Sequence, residues 1–175
     1  MSLLTKSILA GLVAVTSVIQ SASQSKATIM AEIRKDFQAI NADRTLSKKT
    51  LSDEEFMENA SDGGGELAGY YKKGNLVKIV EWLGLSYGNR TREFYFKNNS
   101  VFFVYEKFES FAIKDSAAAE MDHSKVKITF EGRYYFNHDK LIDQKITGKP
   151  SFDDESPNVA NELPDAAKQN VKLLK

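Results

Sequence analysis

The chain contains no cysteine. That excludes a disulfide framework, thiol catalysis and a lipid-accepting cysteine, so the core must hold the fold unaided. Histidine is nearly missing as well: His123 and His138 are the two copies, and neither stands in metal-ligand spacing. No metal and no cofactor is expected. Net charge is absent too, with 24 lysines and arginines against 24 aspartates and glutamates. A balanced chain of this kind offers no electrostatic case for nucleic acid or for an anionic membrane.

Catalytic motifs are also lacking. Gly63-Gly64-Gly65 has no following lysine and precedes strand-like sequence, so it is not a phosphate loop. Asp153-Asp154-Glu155 lacks the alternating oxygen ligands and glycine of a calcium loop. No serine sits in a Gly-x-Ser-x-Gly elbow. Arg133 beside Glu131 reads as a cross-strand charge partner, and no catalytic residue is assigned.

One long apolar run is present, at the start. Lys6 precedes Ile8 to Ile19, which is apolar or small almost throughout, and Gln20, Ser21, Ala22 and Ser23 follow. This is the layout of a secretory signal over residues 1–23, with Ser21 and Ser23 at the −3 and −1 positions. The run is too short for a hydrocarbon layer of about 30 Å. After cleavage no transmembrane segment is expected, and the expected address is periplasmic or secreted.

Beyond residue 23, Ile29, Ile33, Phe37 and Ile40 form one apolar stripe at helical spacing, with Ser25 or Thr28 as a cap and an end near Asn41 to Asp43. Residues 44–65 are polar and weakly patterned, and Ser52 with Glu55 matches a capping box. Three tyrosine-led segments then repeat one pattern: Tyr70-Tyr71 with Lys72-Lys73-Gly74-Asn75-Leu76, Tyr95-Phe96 with Lys97-Asn98-Asn99-Ser100-Val101, and Tyr135-Phe136 with Asn137-His138-Asp139-Lys140-Leu141. Gly74, Asn99 and Asp139 hold the equivalent turn position and are residue types that tolerate positive φ. Three β-hairpins follow from this.

The expected fold is α+β: an N-terminal helix on one face of a roughly six-stranded antiparallel meander made of three hairpins. Residues 24–150 form the single domain, with an insertion loop at 109–126, and 151–175 is an acidic, partly disordered tail that can end in a short helix. The return strand of the second hairpin is apolar on both faces and reads as central. The third hairpin's return strand, with Asp143, Gln144 and Lys145, reads as an edge.

The Ile-x-x-x-Ile-x-x-x-Phe-x-x-Ile-Asn helix, the Gly64-to-Leu67 entry and the successive Tyr-Tyr/Phe hairpins resemble small exported proteins of Gram-negative bacteria, Bacteroidetes especially, whose function is unassigned. The resemblance covers roughly residues 29–146. It implies export and the helix-plus-sheet fold, and carries over no site residue. Many such proteins carry a lipid-accepting cysteine, which this chain lacks.

With one helix covering one face, the other is expected to present an aromatic surface. The candidate binding residues are Tyr70, Trp82, Tyr95, Tyr105 and Tyr135. Tyrosine and tryptophan give contact area at low entropy cost. The leading expectation is therefore a non-enzymatic binding protein whose partner is a protein or an envelope component. The alternatives are a small hydrolase or ligand-binding protein with an acidic and tyrosine pocket, and a homodimer through the aromatic face.

Overall fold

The computed structural model describes residues 25–59, 61–118, 120–149 and 159–175. The signal-like segment and the Asp153-Asp154-Glu155 run lie outside the described residues.

The elements are α1 (Lys26–Ala42), β1 (Ser47–Ser52), α2 (Asp53–Phe56), β2 (Gly65–Lys72), β3 (Asn75–Leu85), β4 (Gly88–Lys97), β5 (Ser100–Asp115), β6 (Glu120–Asn137), β7 (Lys140–Gly148) and α3 (Val159–Leu173). The seven strands form one antiparallel sheet in chain order, β1-β2-β3-β4-β5-β6-β7. The seventh strand, beyond the six expected, is β1, whose sequence SKKTLS is exposed along nearly its whole length. Hydrogen bonds to β2 hold it there, and Leu51 is its one apolar side chain against the core.

All three hairpins form as read. Lys73 and Gly74, Asn98 and Asn99, and His138 and Asp139 all have φ between 49° and 80°. Each pair is thus the centre of a two-residue turn of the I′ kind, whose twist matches that of the flanking strands. Each hairpin also carries one register shift, between Tyr70 and Tyr71, Tyr95 and Phe96, and Tyr135 and Phe136. The residue inserted on the return strand is Val77, Phe102 and Ile142 respectively.

These bulges correct simple alternation. Strict period two puts Val101 with Phe103 and Tyr105, against Phe102 and Val104. Instead Val101 joins Val104 in one core cluster, while Phe102 and Phe103 share the other. A bulge places two residues opposite one, so the residues beyond it change face.

Both faces of the sheet are covered. Helix α1 starts with Ser25 capping the Thr28 N–H and packs Ile29, Ile33, Phe37 and Ile40 over Tyr95, Phe102 and Phe103. Ion pairs mark its course: Lys26 with Asp143 on β7, Asp36 with Lys97, and Lys72 with Asp43 just past its end. Helix α3 covers the opposite face, with Leu163, Ala167 and Leu174 against Leu67, Ile79, Phe94 and Val104. Burying each of the larger of these side chains contributes about 1.5–3 kcal/mol. The C-terminal segment is therefore part of the core from Val159 onward, a longer helix than the short terminal one expected. Lys49 Nζ and the Tyr71 hydroxyl both donate to the Leu174 carbonyl at 3.0 Å, which satisfies an orphan acceptor at the end of α3.

The span read as an insertion loop, 109–126, is mostly strand: β5 and β6 run on past their neighbours as a two-stranded arm. Its turn is short, and its pairing is irregular at Phe108/Glu109, Phe111/Ala112 and Ile113/Asp115. Ile113, Val126 and Ile128 are half or more exposed on this arm.

Candidate functional site

Register builds the α1 face row by row. Cross-strand partners run Lys48, Tyr70, Lys78, Tyr95, Phe103, Tyr135 and Asp143 across all seven strands. The next row on the same face contains Glu93, Tyr105 and Arg133 on β4, β5 and β6. The row after that contains Glu66, Trp82, Thr91, Lys107 and Glu131.

All five aromatics singled out by sequence therefore share one face. It is the face that α1 crosses, whereas the uncovered side was expected to hold them. The cause is the chain's second amphipathic helix: α3 takes the opposite face, and Tyr134, which points there, is buried.

A cleft of about 570 Å³ opens between the sheet and one flank of α1. Tyr95, Phe103 and Tyr135 form its floor, Glu93, Tyr105 and Arg133 its far wall, and Arg34, Phe37, Gln38 and Asn41 its roof. Floor and wall are two adjacent register rows on the same three strands, so the cleft spans about 10 Å across the strands. The floor rings are in contact, with centroids 5.6 Å apart for Tyr95 and Phe103 and 5.1 Å for Phe103 and Tyr135.

The five candidates differ in access. Tyr95 is fully buried, and Tyr105 and Tyr135 are half-buried and line the cleft. Tyr70 lies outside it, its ring flanked by Lys48 Nζ at 5.9 Å and Lys78 Nζ at 6.0 Å. Trp82 is half-buried one row further from α1 and does not line the cleft.

The polar groups of the cleft are largely tied to one another. The Tyr95 hydroxyl donates to Glu93 in a very short hydrogen bond and lies 3.1 Å from Asn41 Oδ1. Lys78 Nζ bridges the same two acceptors, 2.9 Å from Glu93 and 3.1 Å from Asn41 Oδ1, and sits 5.0 Å from the Tyr95 ring centroid. At the β6 end the Tyr105 hydroxyl donates to Glu131 at 2.6 Å. Arg133 donates to the same carboxylate at 3.1 Å and stacks 5.1 Å from the Tyr105 ring. Burial, then the Glu93 charge, pushes the Tyr95 hydroxyl far above its ordinary range. Burial, then the hydrogen bond to Glu131, pushes Tyr105 up to about 12. The same hydrogen bond holds Glu131 below the usual carboxylate range.

The α3 face carries a second polar assembly. Glu81, Arg92 and Glu106 are consecutive cross-strand partners on β3, β4 and β5. Arg92 Nε donates to Glu106 at 2.8 Å, Arg90 donates to Glu81 at 3.2 Å, and Asn170 of α3 donates to Glu81 at 3.0 Å. Glu81, Glu106 and Asn170 are all buried. Charges removed from water this way add little net stability but penalise a misplaced partner. Asn170 thus ties α3 to the charged row of the sheet at Glu81.

Sequence reasoning missed Arg34, Lys78, Glu93, Asn41 and Arg133 as cleft residues. Their convergence depends on register and on the path of α1; the only advance signal was that Arg34 and Asn41, seven residues apart, share one flank of the apolar stripe. Among the described residues no group of histidine, aspartate and glutamate is placed to hold a metal, and no helix is long and apolar enough to cross a membrane. Compared with protein-family models, curated proteins and solved structures, the chain matches none.

Proposed function

We propose that this is an exported binding protein and that its recognition site is the cleft between α1 and the β4–β6 rows. The observation that carries the reading is the convergence in one cleft of Tyr95, Tyr105 and Tyr135, three of the five candidate aromatics, with charged residues at the rim. A volume of this size suits a small molecule or a peptide end. Its apolar floor and few oriented polar groups are the composition of a binding pocket.

The hydrolase reading is weaker. A nucleophile or general base must be free to exchange a proton near neutral pH. Here Glu93 is engaged by Lys78 and Tyr95, and the Tyr95 and Tyr105 hydroxyls are held protonated. Such groups orient a guest better than they attack one. Export rests on the signal-like residues 1–23. Cleavage after Ser23 leaves Ser25 in place to cap α1, so the mature helix loses nothing.

The test is capture. Mature protein is incubated with a small-molecule extract of the producing cell's envelope fraction, desalted and examined by native mass spectrometry beside Tyr135→Ala and Tyr105→Ala. A retained molecule that both variants lose supports the cleft. Equal retention by all three proteins places binding elsewhere and overturns the reading. N-terminal sequencing of the protein recovered outside the cytoplasm is expected to start at Gln24.

A further inference from the structure

We infer that the cleft takes a ring-bearing carboxylate, a cyclic organic acid whose anionic group meets Arg34 and Arg133 while its ring lies on the tyrosines. The inference rests on the cleft being the binding site and adds the chemistry of its guest.

Charge complementarity is the first argument. The cleft is lined by three cationic side chains, Arg34, Lys78 and Arg133, and by one carboxylate, Glu93. Lys78 is taken up by Glu93 and Asn41. That leaves the guanidinium groups to set the sign of the guest. Arg34 makes no ion pair or hydrogen bond with any described residue, and it projects from the exposed side of α1 over the cleft. A guanidinium so placed on the roof of an aromatic cleft has its N–H donors available to an anion that enters it.

Arg133 supplies the second half of the clamp. Its guanidinium is held on the Tyr105 ring and by one nitrogen to Glu131. A guanidinium has five N–H donors in a rigid fork, so donors remain after one is used, and their direction is already set. Preorganisation of this kind lowers the entropy cost of binding. Glu131 is not among the lining residues, so it neutralises Arg133 from outside without placing a carboxylate where the guest's would sit.

The ring requirement comes from the floor. Tyr95 is fully buried, so the accessible aromatic surface of the cleft is that of Tyr105 and Tyr135, both half-buried, with Phe37 opposite. Arg133 covers one side of Tyr105. Tyr135 and Phe37 therefore offer the free surface, and a ring that presents C–H groups to it is held better than a flexible chain. An aromatic acid and the uronic acid end of a saccharide share this chemistry.

The experiment is isothermal titration calorimetry of the mature protein with phenylacetate and with glucuronate, each beside its uncharged counterpart, 2-phenylethanol and glucose. Sedimentation is run alongside to detect self-association. At least one acid is expected to bind, with its neutral counterpart at least tenfold weaker. Arg34→Gln and Arg133→Gln are each expected to weaken the acid by about tenfold to a hundredfold, as for loss of one charge-assisted hydrogen bond. Lys107→Gln, on the same face but outside the cleft, is expected to leave affinity unchanged. Binding by phenylacetate alone identifies the aromatic source, and binding by glucuronate alone identifies the saccharide.

Equal binding of acid and neutral compound, or binding that survives Arg34→Gln and Arg133→Gln together, overturns the carboxylate clamp and leaves the cleft reading standing. Absence of binding by either acid at millimolar concentration also overturns the inference, as does a dimer that closes the cleft. In those cases the capture experiment with Tyr135→Ala still decides the broader proposal, so the two failures are distinguishable.

Discussion

The Phe37 ring of α1 lies 5.0 Å from the Tyr95 ring of β4, tilted by 58°. Through this contact the helix is fastened to the centre of the sheet, because Tyr95 also touches Phe103 and Phe102. Tyr95 is thus a core residue with its hydroxyl at the cleft's inner edge. Tyr95→Glu is expected to abolish the cooperative urea transition, since it buries a second carboxylate beside Glu93. Phe37→Ala is expected to cost about 3 kcal/mol as a large-to-small change at a half-buried site. Tyr95→Phe keeps the ring, and Glu93 keeps Lys78, so about 1 kcal/mol is expected from the same measurement.

The hairpin turns give a cleaner test, because their demand is conformational. Gly74 has φ of 80°, and a Cβ added there meets nothing within 4 Å. Gly74→Ala is therefore expected to cost about 1–2 kcal/mol from backbone strain alone. Asn99 has φ of 64°. Asn99→Gly relieves the same strain and is expected to gain a few tenths of a kcal/mol or more, offset in part by unfolded-state entropy. Opposite signs in chemical denaturation at the two sites are the expected result.

Those turns were legible in sequence because positive φ restricts residue choice so sharply. Gly74, Asn99 and Asp139 marked all three hairpins, and the Tyr-Tyr/Phe pairs marked the strands entering them. Both helix caps were visible for the same reason: Ser25 caps α1, and Ser52 with Glu55 forms the capping box of α2. Faces were harder to read. One bulge per hairpin displaces Leu76, Val101 and Leu141 from the side that alternation assigns to them, and no residue type announces a bulge.

Strand β1 escaped notice because Ser47 to Ser52 has no apolar face to show. The arm at 109–126 read as a loop because lysine, aspartate and alanine interrupt its pattern. The extent of α3 was hidden by Pro164, which lies inside the helix and is nevertheless buried. Once α3 claimed one face, the aromatic row had to share the other with α1. The cleft exists because α1 crosses only part of that face.

The buried row beneath α3 makes a prediction with a defined pH sense. Arg92 pairs with Glu106 at 2.8 Å, the shortest ion pair of this row. Arg92→Met strands that carboxylate in a site 8% exposed, and about 3–5 kcal/mol is expected to be lost at pH 8. A stranded buried carboxylate has a folded pKa raised above the unfolded value near 4.3. Its penalty is therefore absent below that value and fully present only above the raised folded one. The gap between variant and native protein should shrink on going from pH 8 to pH 4, measured by urea unfolding at each pH. The comparison matters because Asp43, Glu55 and Glu131, all held below their ordinary range by hydrogen bonds, weaken the native protein itself as pH falls. Adding Glu106→Leu to Arg92→Met removes the stranded charge and should restore most of the loss at pH 8.

At the alkaline end the tyrosines decide stability. Tyr105 and Tyr134 are pushed up to about 12, each by burial first and then by a neighbouring carboxylate, Glu131 and Glu106 respectively. Tyr95 is displaced further in the same direction. An unfolded chain ionises its tyrosines near 10. The folded protein thus holds these protons more tightly than the unfolded one, and the associated stability is complete below pH 10. It drains away as pH rises from about 10 to 12, because only the unfolded state is stabilised by releasing them. Absorbance at 295 nm should therefore show a late fraction of tyrosinate that appears together with loss of the near-ultraviolet circular dichroism signal. In Tyr105→Phe that late fraction should fall by one residue while the fold persists at neutral pH. A titration in which every tyrosine ionises near 10 with the fold intact would show that these hydroxyls are not enclosed, and with them the inner wall of the cleft would be lost.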